Sequence, residues 1–428
     1  MPASPKLRIL AGTDIGTSKT VTLIAVAPAT GSAPPRVIGR GIADSAGMRK
    51  GVVRDLDAAD AALREAISLA EREAARELRA TVELSSTLVT LAGAHLISAC
   101  CQGTVPVTGV RGVVRDSDVA EACESAKNRA RFPGAEFPNH VPVIYFRQPF
   151  RVGRNIVEGD PRGMKAASLT ASYWGVAADS AVLERLGSLV GRHIENRRFV
   201  VSSYASGSLL AAGDAARDGV LVVDIGAGVT DFILLADGHV ALTGSLPVGG
   251  ELLTRDLCAG LRLPQTEKAF QRAEQIKRNF DPAVLRATPA AATWRYGDHS
   301  VGDTKIPVRV IAKILEARLE ELFVFILRRL GRHADGKLIP RGVILTGGGA
   351  NLRGAAEIAE RTFGLKTRVA GRQDFPAWVP EELQKPEYSA ALGLLAQART
   401  PQNAPRPAAA VRAGTRGLLS KLLRKVGI

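Results

Sequence analysis

The feature that most constrains the fold of this chain is a short unit that occurs twice. Residues 7–26 and 219–238 each carry an apolar run that ends in Asp-Ile-Gly, then a short polar turn and a second apolar run. This pattern predicts two strands joined by a tight turn. Asp14 and Asp224 lie 210 positions apart in a chain of 428 residues, about half its length. A duplication on this scale predicts two related α/β domains that face each other.

Composition places the chain among ordinary globular proteins. It is 46% hydrophobic and 23% charged, which excludes global disorder. The four cysteines have no Cys-x-x-Cys spacing, so we interpret them as reduced thiols in the cytosol. The apolar run before Asp14 is too short for a signal peptide, and no apolar run approaches the roughly 18 residues of a membrane span.

The chain between and after the two units predicts further domains. Residues 56–80 have the apolar spacing of a surface helix, whereas residues 399–413 are rich in Pro and Ala, as linkers are. The predicted division is a first lobe (1–81 and 166–198), an inserted α+β subdomain (82–165), a second lobe (199–262 and 338–398), a helical insertion of that lobe (263–337), a flexible linker (399–413) and an amphipathic helix (414–428).

The repeated unit also predicts a phosphate site. A strand that ends in Asp-x-Gly, with a turn of small residues behind it, presents backbone N–H groups to a phosphate, and its carboxylate holds the hydration shell of Mg²⁺. Two such units in opposed domains would clamp a triphosphate from both sides; the alternative is that both are merely tight turns. The candidate ligands are Asp14, Gly16, Thr17, Ser18 and Lys19 in the first unit and Asp224, Gly226, Gly228 and Thr230 in the second, with Asp14 and Asp224 holding Mg²⁺ through water.

A third candidate element is the glycine run at Gly347, Gly348 and Gly349, which follows an apolar strand pattern. Three glycines let a flat base lie close to the backbone with no side chain in the way. Alone the run would carry no weight, because glycine-rich turns are common. It gains weight from the two Asp-Ile-Gly units in the same chain.

Several motifs occur in the order and spacing of the actin-like ATPase superfamily, which the chain resembles. They are DIGTSK at Asp14, DIGAGVTD at Asp224, LPVGG at Leu246, AEQIK at Ala273, LEARLEELF at Leu315, LTGGG at Leu345 and PEYSAALGLL at Pro386. Within the superfamily the chain is similar to the FtsA family of bacterial cell-division proteins, through MRKGVVRDL at Met48, DPRGMKA at Asp160 and the basic terminal segment. The similarity covers nearly the whole chain. It implies an α/β fold of two actin-like lobes, built from duplicated ribonuclease-H-like domains, with ATP and Mg²⁺ as cofactors between them.

The resemblance adds three residues to the site. It implies that Glu274 and Lys277 reach the ribose and base, and that Gly250 of LPVGG belongs to the ATP site. Without the surrounding motifs, Glu274 and Lys277 would be interpreted as an exposed ion pair on a helix.

The chain departs from the family pattern at two places. Ala227 and Val229 replace residues of the usual DIGGGTTD, but the residues of the predicted phosphate hairpin are retained. Ser202 and Ser203 stand where many superfamily ATPases have an acid-proline pair, so a general base for the attacking water is not evident. We expect slow or absent hydrolysis, at most that of a weak ATPase.

The end of the chain holds much of its positive charge. The net charge is +15, and residues 401–428 contain six bases and no acid. At 100° per residue, residues 416–428 separate into an apolar and a basic face. Such a helix spans about 20 Å, short of the roughly 30 Å hydrocarbon core, so it would lie in the interface of an anionic membrane. The alternative is a helix packed on its own domain. The apolar face is Leu418, Leu419, Leu422, Leu423 and Val426, and the bases are Arg416, Lys421, Arg424 and Lys425.

The resemblance implies a peripheral protein at the cytoplasmic face of the inner membrane, at the division septum. It would bind the C-terminal peptide of FtsZ through the helical insertion, tether FtsZ filaments through the terminal helix, recruit other divisome proteins and self-associate into filaments. The inserted α+β subdomain carries no nucleotide motif, so we expect it to make contacts between subunits or with division proteins.

Two rival functions stay open at this point. They are an actin-like pilus-assembly adaptor and an actin-like small-molecule kinase, neither of which would use a basic terminal helix. The six His lack ligand spacing, and the three Trp do not alternate with Arg or Lys as base-stacking aromatics do. Nucleic acid is therefore not an expected partner.

Overall fold

The computed structural model of the chain describes residues 7–28, 33–128, 139–279, 293–296 and 304–399. The strands, in chain order, are β1 (Leu7–Ile15), β2 (Lys19–Pro28), β3 (Arg36–Asp44), β4 (Met48–Arg49), β5 (Val52–Val53), β6 (Ser86–Leu91), β7 (Leu96–Pro106), β8 (His140–Arg147), β9 (Phe150–Val152), β10 (Asn155–Val157), β11 (Ser168–Asp179), β12 (Asn196–Val201), β13 (Val220–Ile225), β14 (Thr230–Ala236), β15 (His239–Leu246), β16 (Thr293–Tyr296), β17 (Thr304–Pro307), β18 (Val343–Thr346) and β19 (Thr367–Val369). The α-helices are α1 (Leu56–Leu78), α2 (Asp116–Asn128), α3 (Ser180–Gly191), α4 (Ser202–Leu210), α5 (Asp214–Asp218), α6 (Gly250–Gly260), α7 (Glu267–Asn279), α8 (Val308–Leu330), α9 (Ala355–Phe363) and α10 (Ser389–Ala398).

Two five-stranded sheets have the same strand order. The first runs β3-β2-β1-β6-β12 and the second β15-β14-β13-β18-β19. In each, three strands that follow one another in the chain pair antiparallel, and two later strands add in parallel. The duplication that the two Asp-Ile-Gly units predict is therefore a duplication of a whole sheet, and the prediction of a two-lobed α/β fold is confirmed.

The helix predicted at residues 56–80 forms as α1, which covers the first sheet. The Asp55 side chain caps its start by accepting from the N–H groups of Asp57 and Ala58, each at 3.1 Å. The alanine-rich face of α1 lies close against β3, where a Cβ on Gly39 or Gly41 would overlap the helix backbone. Small residues on both elements therefore set the separation between helix and sheet.

The two lobes share one core. Helix α4 follows the last strand of the first sheet, and α10 comes after the last strand of the second; the two helices pack against each other between the sheets. A Cβ on Gly393 would overlap the backbone of Ala205 at their crossing. One hydrophobic cluster contains residues of both sheets and both helices, so burial of apolar surface joins the lobes at their base.

A smaller sheet is built from β7 to β11. Strands β7 and β11 pair antiparallel over eleven residues, β8 and β9 add beside β11, β10 pairs with β9, and α2 packs on β7. Its limits differ from those expected for the inserted subdomain: β6 belongs to the first large sheet and β11 to the small one. Short buried runs such as Ser86–Leu91 have the same pattern in either sheet, so the sequence could not assign them. We propose residues 92–179 as this small subdomain.

The small subdomain docks on the free edge of the second sheet. Trp174 Nε1 donates to Thr243 Oγ1 at 3.0 Å, Ser98 Oγ donates to the Thr243 carbonyl at 2.8 Å, and Gln148 Nε2 donates to the Val240 carbonyl at 2.7 Å. Side-chain donors thus occupy edge carbonyls of β15 that a further strand would otherwise pair.

The region expected to be a helical insertion contains α7, the β16–β17 hairpin and α8. Helix α8 buries one side along its length, including Leu315, Leu322 and Ile326, against the second lobe. No helix in the described ranges is both long and apolar enough to cross a membrane. Apart from Arg399, the expected linker and the amphipathic helix lie outside the described residues.

Candidate functional site

The two Asp-Ile-Gly units form hairpins of the same geometry. In the first, Asp14 lies opposite Val21 and the Gly16 N–H donates to the Lys19 carbonyl at 3.0 Å. In the second, Asp224 lies opposite Asp231, and the Gly226 N–H donates to the Val229 carbonyl at 2.9 Å. Each hairpin thus places its aspartate near a strand end, with a short turn beyond it.

The two hairpin turns meet across the cleft between the lobes. A Cβ placed on Gly228 would lie 2.5 Å from Thr17 Oγ1 and 3.0 Å from the backbone nitrogen of Lys50. Any larger residue at Gly228 would therefore push the lobes apart. The residues predicted from the two halves of the sequence are brought together at one place.

Burial raises the pKa values of the two predicted Mg²⁺ ligands, Asp14 and Asp224. It raises the pKa of Asp14, although the Thr90 hydroxyl, which donates to Asp14 Oδ1 at 2.6 Å, and the charge of Lys19 act in the opposite direction. Burial, followed by the neighbouring carboxyls of Asp231 and Asp14, raises the pKa of Asp224 to about 8. The Ser206 hydroxyl and Lys19 reduce that shift. The charge of Lys19 therefore offsets the clustered carboxyl groups of the cleft only in part.

Asp231 is a site residue that the sequence analysis missed. It is 4% exposed, and burial raises its pKa to about 7, with Asp14 adding to the rise. The N–H of Gly93, from the loop between β6 and β7, donates to it. The signal was available, because Asp231 ends the DIGAGVTD motif and a tight hairpin places it opposite Asp224.

Lys19 lies at the junction of the lobes. Burial lowers its pKa, while Glu387, Asp14 and Asp224 act to raise it. Its Nζ lies 4.3 Å from the centroid of the Tyr388 ring, a cation–π contact between the first lobe and the segment before α10. Ser18, which is beside it, is exposed.

The predicted glycine run follows β18. Gly347 has a φ of +80°, which favours glycine, and a Cβ on it would overlap Asp224 Oδ1. A Cβ on Gly349 would overlap the Ile225 side chain, whereas one on Gly348 would have no atom within 4 Å. The run thus touches the second hairpin on one side and leaves open space on the other.

Glu274 and Lys277 are half-buried members of a network and not an exposed ion pair. Lys277 Nζ donates to Glu274 Oε2 at 2.6 Å, and to Thr254 Oγ1 and the Gly250 carbonyl at 2.9 Å each. Burial lowers the pKa of Lys277. Burial acts to raise the pKa of Glu274. The charge of Lys277 and the hydrogen bonds that Glu274 accepts outweigh burial, so the pKa of Glu274 is lowered overall. Because all three N–H donors of Lys277 are occupied, it holds α7 against the start of α6.

The start of α6 is in turn fixed to the second hairpin. The Gly250 N–H donates to the Gly226 carbonyl at 2.9 Å, and the Thr230 hydroxyl donates to the Val248 carbonyl at 2.8 Å. These bonds join the second hairpin to the start of α6, and the predicted ligand Thr230 is itself fully buried. Ser202 and Ser203 are buried at the start of α4. The predicted membrane-binding residues, 416–426, lie outside the described residues.

The duplicated sheets with paired hairpins define a two-lobed protein of the actin-like class. The structure described as the PilM-PilN type IV pilus biogenesis complex aligns with a TM-score of 0.60 at 20% identity, covering 92% of this chain and 99% of that one. MreB 5 of Spiroplasma citri bound to AMPPNP aligns with a TM-score of 0.50 at 13% identity, covering 91% and 95%. These likenesses show the fold alone.

Sequence comparison identifies the family within that class. The family model described as cell division protein FtsA matches residues 221–393. Cell division protein FtsA of Neisseria meningitidis is 29% identical over 426 residues, 97% of each chain, and that of Pseudomonas aeruginosa is 28% identical over 393 residues, covering 91% of this chain and 88% of the relative. Over nearly its whole length the chain is thus similar to cell division proteins of the FtsA family.

Proposed function

We propose that the chain binds ATP with Mg²⁺ between its lobes. The observation that carries this is the approach of the two hairpins, in which Gly228 of one faces Thr17 of the other. Backbone N–H groups at both turns would bind phosphate oxygens from two sides. The MreB 5 structure of the same fold holds AMPPNP, which supports the placement.

The residues present fit such a ligand. Gly347 and Gly349 let the glycine run lie directly against the second hairpin, and the open space over Gly348 would admit a flat base. Bound Mg²⁺ would supply the positive charge that the buried carboxyls lack, with Asp14 and Asp224 holding its hydration shell. In this arrangement Lys277 and Glu274 keep the start of α6 in place beside the ribose.

We further propose that hydrolysis is weak. Ser202 and Ser203 begin α4 at the point where the superfamily pattern has a carboxylate, and a hydroxyl at this position cannot take a proton from water at neutral pH. Phosphate release by the protein alone, followed at saturating ATP, should stay far below the roughly 10 per second of a typical enzyme. A rate of that order would contradict the proposal.

In the cell, the chain would tether FtsZ filaments to the cytoplasmic face of the inner membrane at the septum and recruit other divisome proteins. The sequence similarity to cell division proteins over nearly the whole chain supports this over the pilus adaptor, with which only a likeness of fold is observed. The basic amphipathic pattern of residues 416–428 supports the membrane contact. The C-terminal peptide of FtsZ would bind the region of α7 and α8, and the small subdomain would contact other subunits or division proteins.

Liposome co-sedimentation tests the tether. The full chain should sediment with anionic liposomes, and truncation after Ala413 should abolish sedimentation while leaving ATP binding intact. The Leu419→Glu, Leu422→Glu double variant should behave like the truncation, because a carboxylate on the apolar face opposes insertion and repels anionic headgroups. If that variant instead loses thermal stability and still sediments, the helix is packed on its own domain and the tether proposal is wrong.

A further inference from the structure

The small subdomain presents two unusually exposed apolar side chains. Val110 is 82% exposed and Ile156 is 77% exposed, whereas no other large apolar side chain in the described ranges exceeds 42%. Single exposed apolar residues are ordinary, but two so far out of the core on one subdomain mark a candidate contact surface.

The two side chains lie on turns that converge. Val110 belongs to the turn 109–112, where the Ala166 N–H donates to the Gly112 carbonyl at 2.9 Å. Ile156 lies on the β9–β10 hairpin, where a Cβ on Gly153 would come 3.8 Å from Ala166 Cβ. Both turns therefore rest on the same residue, Ala166, and expose Val110 and Ile156 at one end of the subdomain.

The same turns carry three exposed arginines. Arg111, Arg151 and Arg154 make no ion pair with any residue that the structure describes. Arg111 has a φ of +58°, a left-handed conformation that favours glycine, so the turn keeps a long basic side chain where a smaller residue would be less strained. Glu158 is the nearest acid along the hairpin, and the surface stays net positive.

We propose that Val110, Arg111, Arg151, Arg154 and Ile156, the two-turn surface, bind an acidic segment of a partner protein that also carries apolar side chains. The arginines would pair with its carboxylates and the two apolar residues would bury its apolar side chains. The same surface of a second copy is disfavoured as the partner, because both turns carry arginines and no acid and would repel each other. The inference rests on the proposed role of the small subdomain in partner contacts.

The test uses a phage-displayed library of short random peptides selected against the full chain. Enriched peptides should be acidic and contain apolar residues. Their affinity should fall at least about tenfold for the Val110→Ser, Ile156→Ser variant and for the Arg111→Gly, Arg154→Ser variant. It should also fall as salt rises through about 0.15 M. All substituted side chains are exposed, and glycine suits the backbone at Arg111, so the melting temperatures should stay within about 2 °C.

Two further variants separate the possible failures. One is the double variant Glu121→Ser, Glu124→Ser, which alters the exposed face of α2 on the same subdomain. The other is the matched control Ile42→Ser, Arg64→Ser, which removes one exposed apolar and one basic side chain from the first lobe. Binding that responds to the α2 variant alone would overturn the inference and keep the role of the subdomain. If neither the two-turn variants nor the α2 variant changes peptide binding, both the inference and the proposed partner role of the small subdomain are wrong. Enrichment of basic or uncharged peptides would overturn the proposed partner chemistry. Self-association of the chain that the two-turn variants abolish would show that the occupant is a second copy.

Discussion

The two hairpins of the cleft share one register and differ in the residue opposite the aspartate. Asp14 faces Val21, which is fully buried and apolar, whereas Asp224 faces a second carboxyl, Asp231. The first groups to offset the raised pKa values are hydroxyls of the second lobe, Ser206 at Asp224 and Ser245 at Asp231, and Lys19 and the Gly93 N–H add to them from outside that lobe. The second hairpin therefore carries two carboxyls whose pKa values depend partly on groups from other parts of the chain.

A further difference lies on the neighbouring parallel strands. Thr346 pairs with Asp224, and Thr90 follows Val89, the partner of Thr13, so it lies next to Asp14. Thr90 donates to Asp14, but Thr346 Oγ1 donates to the Pro386 carbonyl at 3.0 Å instead. The two threonines occupy equivalent positions, but Thr90 donates to the cleft carboxyl of Asp14, whereas Thr346 donates to the segment before α10.

The largest expected effect comes from copying the second hairpin into the first. Val21→Asp puts a second carboxyl at a fully buried position opposite Asp14, where Lys19 already interacts with Asp14 and Asp224, and it should lower the free energy of unfolding by about 4 kcal/mol in urea titrations at neutral pH. Val21→Thr keeps the shape with a smaller polar group and is the matched control. Wild-type stability for Val21→Asp would mean that the first hairpin tolerates a second carboxyl as the second hairpin does.

Removal of the carboxylate next to the glycine run should have the next largest effect. If ATP and Mg²⁺ bind as proposed, Asp224→Ala takes away a ligand of the Mg²⁺ hydration shell and should weaken binding of ATP with Mg²⁺ by about a hundredfold in calorimetry, or roughly 2.7 kcal/mol. Asp57→Ala, an exposed residue at the start of α1, should leave the affinity unchanged. Equal affinities for the two variants would remove Asp224 from the site.

The raised pKa values make the stability of the ligand-free protein depend on pH. Asp224 and Asp231 bind protons more tightly when folded, so their contribution is fully present below about pH 4 and is lost as the pH rises through about 7 and 8. Asp231→Asn removes one of the two carboxyls and should raise the free energy of unfolding at pH 9 by on the order of 2 kcal/mol, with a smaller gain at pH 5. Urea titrations without nucleotide or Mg²⁺ check this. A gain that is the same at both pH values would refute the assignment of the pH dependence to this carboxyl.

The sequence predicted what depends on neighbours along the chain. The strand-turn-strand units, α1 and the glycine run follow from local pattern, and only the resemblance implied that Glu274 and Lys277 reach the ribose and base. The sequence did not predict three contacts between distant segments. They are the Gly93 N–H that donates to Asp231, the Tyr388 ring that Lys19 contacts, and the hydrogen bond from Trp174 to Thr243. Each joins residues more than 60 positions apart, and their meeting depends on lobe closure, which leaves no periodic trace in the sequence.

The smallest expected effect separates the two threonines. Thr90→Val removes the donor to Asp14, so the pKa of Asp14 should rise further and the affinity for ATP with Mg²⁺ should fall about fivefold, the equivalent of one hydrogen bond of about 1 kcal/mol. Thr346→Val leaves the buried Ser389 hydroxyl without one partner, so it should lower the free energy of unfolding by a similar amount while changing the affinity less. Calorimetry gives the affinity of each variant for ATP with Mg²⁺, and urea titration gives the free energy of unfolding of each. If Thr346→Val lost as much affinity as Thr90→Val, the two threonines would serve the cleft alike, and the asymmetry between the lobes would be confined to Asp231.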